Sequence, residues 1–234
     1  MKILLPPSET KRDGGTGDRL NLRELSFPSL TPTRRALVRS LVAVAKHPGD
    51  ARRALGLSQS QDDEIRRNAK IRTSPTTSAL DRYSGVLFDA LDASTLPPAG
   101  RRSLWIASAL FGLLAADDPV PAYRLSATSR LPGLGTLASI WKPSLGRLLL
   151  ESGPLLDLRS GSYVALAPIP GAFVARVVDG EGRFISHHNK ATKGRLARAL
   201  CGLELAGLDD IVDATTSAGM RVSVTGERTF DVVI

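Results

Sequence analysis

The stretch FISHHNKATKGRLARAL, from Phe184 to Leu200, combines two adjacent histidines with four basic side chains. Two chemistries fit this composition: a metal or acid/base site on His187 and His188, or a basic helix that contacts phosphate. Adjacent side chains diverge on helices and strands alike, and the chain has only one other histidine, His47. We therefore predict no metal site and no cofactor.

The basic side chains of this stretch favour the helix. A helix that begins at Asn189 and runs to about residue 203 separates an apolar stripe from a cationic side, at 100° per residue. The apolar stripe consists of Leu196, Leu200 and Leu203. The cationic side consists of Lys190, Lys193 and Arg198. Gly194 is expected to leave backbone accessible near the helix N-terminus, where free N–H groups attract anions. A solvated charged face is the alternative.

A second candidate is Ser8-x-x-Lys11, the spacing that pairs a serine nucleophile with a lysine in penicillin-recognising enzymes. The partner motifs of those enzymes are missing, and Pro6-Pro7 with the following glycines predicts a loop instead of a helix start. The nearby GGTG lacks the Gly-Lys-Ser/Thr ending of a phosphate-binding loop. Neither motif predicts its usual chemistry here.

A third set of polar residues is embedded in apolar sequence. Its members are Arg72, Tyr83, Asp117, Tyr123, Arg124, Arg159 and Tyr163. Tyrosines for stacking and a carboxylate for acid/base work suit a base or nucleoside. The structural alternative is a core arginine paired with Asp117 or Asp118. The spacing of Arg159 and Tyr163 suggests alternation on a strand.

Charge and composition limit the function classes. The net charge is +8 with a pI near 10.1, and the basic surplus is concentrated in the first half of the chain. Such a surplus indicates a polyanionic partner such as nucleic acid. No apolar run approaches the roughly 20 residues of a membrane span, and the opening MKILLPPSETK lacks a signal-peptide core. With Cys201 as the single cysteine, we expect a cytoplasmic protein without membrane contact.

The elements that must position these residues are of both kinds. We predict strands at KILLP, SYVALAP, FVARVVD, RVSVTG and TFDVVI. We predict helices at TPTRRALVRSLVAVAKH, ALDRYSGVLFDAL, RRSLWIASALFGLLAA and DDIVDATTSAG, and two short helices hinged at residues 56–58. With no clear boundary, this pattern predicts one mixed α/β domain over residues 1–234.

Together these segments resemble the YaaA family of peroxide-stress proteins. The matching segments are ILLPPSETK, RYSGVLFDAL, SALFGLLAADDPVPAYRL, IW, DLRSGSYVAL and FISHHNKATKGRLARAL. The resemblance implies a compact single-domain α/β fold, a positively charged cleft and a helix-hairpin-helix element that binds duplex DNA. The candidate for that element is near residues 41–70, where Gly56 between Leu55 and Leu57 fits the turn and the second glycine is absent. The resemblance also implies links to peroxide stress, free iron and DNA repair.

These considerations favour a sequence-independent DNA-binding protein of the peroxide response that limits oxidative DNA damage. Its partners would be double-stranded DNA or DNA repair intermediates, and we expect binding instead of catalysis. The expected cleft residues are Lys11, Arg72, Arg124, Arg159, Lys190, Lys193 and Arg198. The alternative is an enzyme acting on a nucleotide, nucleoside or nucleobase in a basic, tyrosine-lined pocket. Its candidate catalytic residues are Tyr83, Asp117, Arg124 and Lys193. An iron-handling role is disfavoured by the poor ligand set.

Overall fold

The computed structural model describes residues 1–185 and 189–234, which contain both strands and helices. The strands are β1 (Lys2–Leu5), β2 (Gly17–Arg19), β3 (Pro75–Ser78), β4 (Leu104–Ser108), β5 (Gly112–Ala115), β6 (Pro119–Val120), β7 (Leu155–Asp157), β8 (Phe173–Val178), β9 (Arg221–Gly226) and β10 (Thr229–Val233). The helices are α1 (Thr31–Val44), α2 (Pro48–Leu55), α3 (Asp62–Ala69), α4 (Ala79–Arg82), α5 (Val86–Leu91), α6 (Pro98–Ser103), α7 (Leu137–Leu150), α8 (Gly161–Val164), α9 (Asn189–Leu200) and α10 (Leu208–Ser217). The predicted mixed α/β fold is confirmed.

A seven-stranded sheet forms the centre of the molecule, in the order β5-β4-β1-β7-β8-β10-β9. The five inner strands of this order, β4, β1, β7, β8 and β10, run parallel to one another. The two edge strands, β5 and β9, are each antiparallel to their neighbour. The strands β2, β3 and β6 form a second, separately hydrogen-bonded antiparallel sheet, in the order β2-β3-β6. One continuous cluster of buried side chains includes residues from β1, β4, β7 and the helices around them.

The apolar run RRSLWIASALFGLLAA does not form the predicted helix. It forms the end of α6 and then the hairpin of β4 and β5. A strand buried on both faces shows no alternation, so its sequence can be mistaken for a buried helix. The turn requires Gly112, which has φ of +75° and whose absent Cβ leaves room for the Trp141 ring. Arg34 is fully buried and donates to the carbonyl oxygens of Phe111 and Leu113, which fixes the hairpin against α1.

Other predicted elements had mixed outcomes. The first strand, the helix at 31–44, the hinge at 56–58 and the strands β8, β9 and β10 are confirmed, as is the helix α10. SYVALAP is not a strand, because its first half is the short helix α8. ALDRYSGVLFDAL is two helices, interrupted where Gly85 adopts φ of +103°. The helix α9 ends at Leu200, and Leu203 is exposed beyond it.

The helices α1, α2 and α3 pack against one another and form a layer that we call the basic helical layer, residues 31–72. Gly56 ends α2 in the left-handed region, with φ of +65°, and the chain then turns into α3. This is a pair of short helices, and its assignment as a helix-hairpin-helix element stays a prediction. In the part of the chain described here, every helix is too short or too polar to cross a membrane.

Candidate functional site

The candidate site lies where β4, β1 and β7 end. The chain leaves β1 and returns as β4 on one side of it and as β7 on the other. In parallel α/β sheets, the carboxyl ends of strands on either side of such a reversal leave a crevice where ligands bind. Ser108 is the last residue of β4 and Asp157 is the last residue of β7, while the loop after β1 carries Lys11. Sheet topology therefore brings three polar segments to one edge.

Lys11 occupies the centre of this edge. Its Nζ lies 4.3 Å from the Tyr123 ring centroid and 5.2 Å from the Tyr83 ring centroid. It donates hydrogen bonds to the carbonyl oxygens of Ser8 (3.0 Å) and Glu9 (3.3 Å). A β-bridge between Lys11 and Tyr83 holds the loop in place. The predicted loop is confirmed, and it is firmly anchored.

Burial changes the protonation of Lys11. Only 5% of the residue is exposed, and the loss of water around the ammonium group lowers its pKa to about 7. Glu9 raises the pKa and Arg124 lowers it, but desolvation has the largest effect. At neutral pH a substantial fraction of this amine is therefore uncharged, and an uncharged amine is a nucleophile.

Two tyrosines and a serine complete what we call the lysine–tyrosine cluster: Lys11, Tyr83, Ser108 and Tyr123. The Tyr123 hydroxyl lies 2.6 Å from the Tyr83 hydroxyl and 2.7 Å from Ser108 Oγ. Burial raises the pKa of Tyr83 to about 12 and that of Tyr123 well above its ordinary value. Both phenols therefore remain protonated at neutral pH and can donate hydrogen bonds or protons.

Glu9 and Arg124 border the cluster on its solvent side. Glu9 Oε2 lies 3.5 Å from Arg124 Nε, and their side chains are 42% and 22% exposed. Glu9 Oε2 is itself enclosed and has no hydrogen-bond donor among the described residues. The backbone of Arg124 is held by Asn68 of α3, whose side-chain amide bonds both its N–H and its carbonyl oxygen at 2.8 Å. The basic helical layer thus fixes one wall of the site.

The β7 side of the edge is built on a buried ion pair. Arg159 binds Asp157 through Nε at 2.9 Å and Nη2 at 2.7 Å, and it also donates to the carbonyl oxygens of Tyr163 and Ala167. Lys193 of α9 donates to the carbonyl oxygen of residue 158 at 3.1 Å. Desolvation lowers the pKa of Lys193, and Asp157 opposes that shift. Arg159, Asp157 and Lys193 therefore already form hydrogen bonds within the protein, and these bonds stabilise this side of the carboxyl edge.

The structure separates the predicted site residues into two groups. The first group lines or supports the carboxyl edge of the sheet; its members are Lys11, Tyr83, Tyr123, Arg124, Arg159, Tyr163 and Lys193. Arg72 and Lys190 are exposed, whereas Asp117 forms an ion pair with Arg101 at 2.7 Å. Asp118 accepts hydrogen bonds from Ser26, so neither aspartate pairs with a core arginine of the site.

Two expectations for α9 are wrong. Lys193 does not project away from the core, because it reaches the β7 edge. Arg198 is exposed as expected, although it also donates to the carbonyl oxygen of Leu91 at 2.9 Å. Gly194 is buried and does not expose backbone to an anion, since a Cβ there would overlap the carbonyl oxygen of Leu87. The glycine allows α9 to approach α5. Lys190, in the first turn, is exposed as expected.

Within residues 1–185 and 189–234, no three His, Cys, Asp or Glu side chains form a group that could hold a metal ion. His187 and His188 lie outside the described residues, so the absence of a metal site at that pair stays a prediction.

Sequence reasoning missed Glu9, Ser108 and Asp157. Glu9 stands inside the Ser8-x-x-Lys11 motif, and Ser108 is the polar residue within a long apolar run. Asp157 precedes Arg159 by two residues, a spacing at which a carboxylate can pair locally with an arginine. Each signal was present in the sequence but gains meaning only once the strand ends are known.

These features define a single-domain α/β protein in which a buried lysine and two buried tyrosines lie together at the carboxyl ends of the parallel strands. The family described as "Peroxide stress protein YaaA" matches residues 1–223. The chain is 43% identical over 239 residues to a UPF0246 protein of Corynebacterium efficiens, covering 97% of each chain. It is 42% identical over 233 residues to one of Corynebacterium glutamicum, covering 95% of this chain and 94% of the relative. One of Streptomyces coelicolor is 37% identical over 238 residues, covering 95% and 92%. The chain belongs to the YaaA peroxide-stress family.

Proposed function

We propose that this protein binds double-stranded DNA without reading its base sequence, and that this binding limits oxidative DNA damage during peroxide stress. The observation that carries the proposal is the charge of the basic helical layer. Residues 31–72 contain ten Lys or Arg and four Asp or Glu, which accounts for six of the eight net positive charges. A concentrated positive surface attracts the phosphate backbone whatever the base sequence.

The arrangement of these charges supports the proposal. Arg35, Arg39 and Lys46 are exposed, while Leu37 and Leu41 of the same helix are buried. Arg35 and Arg39 lie about 40° apart around the axis of α1 at 100° per residue, and Lys46 lies in the turn just after α1 ends at Val44. We call Arg35, Arg39 and Lys46 the basic stripe. Among the described residues none of the three pairs with a carboxylate.

The exposed predicted cations extend this surface. Arg72 and Lys70 follow α3, in the same layer, and both are exposed. Other arginines of the layer are already neutralised: Arg52 binds Asp62 at 2.5 Å, and Arg67 binds Asp13 at 2.7 Å. Phosphate binding should therefore depend on the basic stripe and its neighbours, and much less on Arg159, Lys193 and Arg198.

The test is duplex binding measured by fluorescence anisotropy. The full chain should bind several unrelated duplexes of equal length with similar affinity. Changing the stripe to glutamine (Arg35→Gln, Arg39→Gln, Lys46→Gln) should weaken all of them alike. The matched control removes three exposed cations elsewhere (Lys142→Gln, Arg147→Gln, Arg221→Gln) and should have a much smaller effect. Equal losses in the two triple variants would mean that net charge alone matters and would contradict the proposed surface.

A second candidate function, an enzyme acting on a nucleotide, nucleoside or nucleobase, is favoured by the lysine–tyrosine cluster. A buried amine with a pKa near 7, protonated phenols and an enclosed carboxylate oxygen form a set suited to proton transfer or nucleophilic attack. The test is incubation of the chain with a panel of such compounds and mass spectrometry of the products. Turnover that Lys11→Arg abolishes would support this candidate, and unchanged compounds would count against it.

A further inference from the structure

We propose that Lys11 is a nucleophile that forms an imine with the sugar aldehyde of an abasic site in DNA. The inference rests on the proposed DNA binding, since that function brings a damaged duplex to the protein. It goes beyond binding because it assigns a covalent step, a reacting atom and a type of DNA lesion.

The position of the amine carries this inference. Nζ of Lys11 is enclosed by the faces of Tyr83 and Tyr123, at 5.2 Å and 4.3 Å from their ring centroids. Among the described residues no carboxylate binds it directly, and its hydrogen bonds go to the carbonyl oxygens of Ser8 and Glu9 in its own loop. A substrate has to displace these two bonds and to enter beside the tyrosine rings, since only 5% of Lys11 is exposed. An amine in an ion pair with a carboxylate would stay protonated, and a protonated amine has no lone pair with which to attack a carbonyl carbon.

Burial favours the neutral form of the amine, whereas the charges around it act in both directions. Glu9 faces it from the loop, Glu64 and Arg67 face it from the basic helical layer, and Arg124 faces it from the segment after β6. The phenol rings of Tyr83 and Tyr123 complete its surroundings. Desolvation outweighs the attraction of the carboxylates, and the pKa of Lys11 falls to about 7. The amine is thus available for attack under physiological conditions.

The chemistry balances without an oxidant or reductant. The nitrogen lone pair attacks the aldehyde carbon at C1′ of the abasic sugar, and the C–N bond forms. The two amine protons leave with the carbonyl oxygen as water, which gives the imine. Glu9 supplies a proton acceptor at the solvent side, because its Oε2 is enclosed and has no donor among the described residues. The tyrosine hydroxyls are protonated at neutral pH, and one of them can donate toward the departing oxygen in exchange for its hydrogen bond within the cluster.

The cluster also adjoins the proposed DNA surface. Arg67 of α3 binds Asp13, two residues after Lys11, and Asn68 holds the backbone of Arg124. Arg124 and Glu9 are the neighbours of Lys11 that reach solvent. DNA bound along α3 of the basic helical layer would therefore lie near Arg124 and Glu9, and Arg124 could contact a phosphate next to a lesion.

The test uses the full chain, a duplex with one abasic site and the matched intact duplex. Borohydride added to the mixture reduces an imine to a stable amine, so a covalent adduct appears on a denaturing gel. We expect an adduct with the abasic duplex, and peptide mapping of the wild-type chain should locate the adduct on Lys11.

The rate of adduct formation should rise with pH and level off above about pH 7, in keeping with the pKa of Lys11. Free deoxyribose at equal concentration should be trapped far less, since it lacks the backbone.

Variants and binding controls separate the possible failures. Lys11→Arg keeps a cation over the tyrosine rings and should abolish the adduct, whereas Lys142→Arg, at an exposed lysine outside the cluster and the basic helical layer, should leave it unchanged. If the abasic duplex binds normally but gives no adduct, or if the adduct lies on another amine, the imine inference is wrong. The proposed DNA binding is unaffected by either result. Absence of binding to either duplex overturns both. Equal trapping of free deoxyribose on Lys11 would assign the site to a small aldehyde and contradict the DNA lesion.

Discussion

Nζ of Lys11 lies 4.3 Å from the centre of the Tyr123 ring, and the Tyr123 hydroxyl bonds both Tyr83 and Ser108. The amine thus lies over the face of the Tyr123 ring, while the hydroxyl of that ring is hydrogen bonded to other side chains. A cation gains from such a ring face, yet the surrounding burial favours the neutral amine. The balance between these effects makes Lys11 the residue whose protonation should be easiest to detect in the stability of the protein.

Lys11 should make stability depend on pH in a defined direction. Between its folded pKa of about 7 and its ordinary value of 10.5, the unfolded chain holds a proton that the folded chain has lost. The free energy of unfolding therefore rises with pH in this window, by up to about 1.4 kcal/mol per pH unit. Below pH 7 both states are protonated, and the contribution is constant.

The measurement is chemical denaturation of the wild-type chain and of Lys11→Met between pH 6 and pH 10, a range chosen to span the window. The titration of all other groups largely cancels in the difference between the two proteins. That difference should shift in favour of the wild type as pH rises from 7. A difference that does not vary with pH would show that burial leaves the lysine unperturbed.

Gly194→Ala should destabilise the fold. A Cβ at this position would overlap the Leu87 carbonyl oxygen and lie 2.9 Å from the Ala90 Cβ, so α9 must move away from α5. Overpacking of this kind costs roughly 1–3 kcal/mol. The control is Gly146→Ala in α7, where a Cβ meets nothing within 4 Å and the gain in helix propensity is about 0.5–1 kcal/mol. Thermal unfolding should shift in opposite directions, and a tolerated Gly194→Ala would contradict the close packing.

Arg159→Met should be strongly destabilising, because it leaves the carboxylate of Asp157 buried without its partner. The two side chains are 1% and 6% exposed, and breaking such a pair costs about 3–5 kcal/mol. The matched surface pair is Arg183 and Asp179, in which the arginine is 71% exposed. Arg183→Met should cost less than about 1 kcal/mol. Similar midpoints for the two variants in urea would exclude a structural role for Arg159.

The sequence predicted the fold class and several elements for clear physical reasons. β1 is a short apolar run ended by two prolines, and α1 has a regular apolar stripe. The hairpin of β4 and β5 was mistaken for a helix because both of its faces are buried, and only the contact of Gly112 with Trp141 reveals the turn. Local pattern cannot report a long-range contact of this kind.

The candidate site was predictable in part. The unusual tyrosines and Lys11 stood out by residue type, but the sequence could not order the basic residues by their availability. Lys193 and Arg198 looked like surface cations, and the structure places both on backbone carbonyl oxygens. The stripe of Arg35 and Arg39 went unnoticed because exposed arginines on a helix are common. Only the packing of three helices into one layer made their shared surface visible.

The most direct test of the proposed function is the salt dependence of duplex affinity between about 50 and 200 mM. If the basic helical layer neutralises phosphates, log K falls linearly with log salt, with a slope near −0.9 for each contact. Loss of the basic stripe should reduce that slope by about 0.9 for each contact removed, with little difference among unrelated duplexes. An affinity that is insensitive to salt, or a slope that the stripe variant leaves unchanged, would contradict DNA binding through this surface.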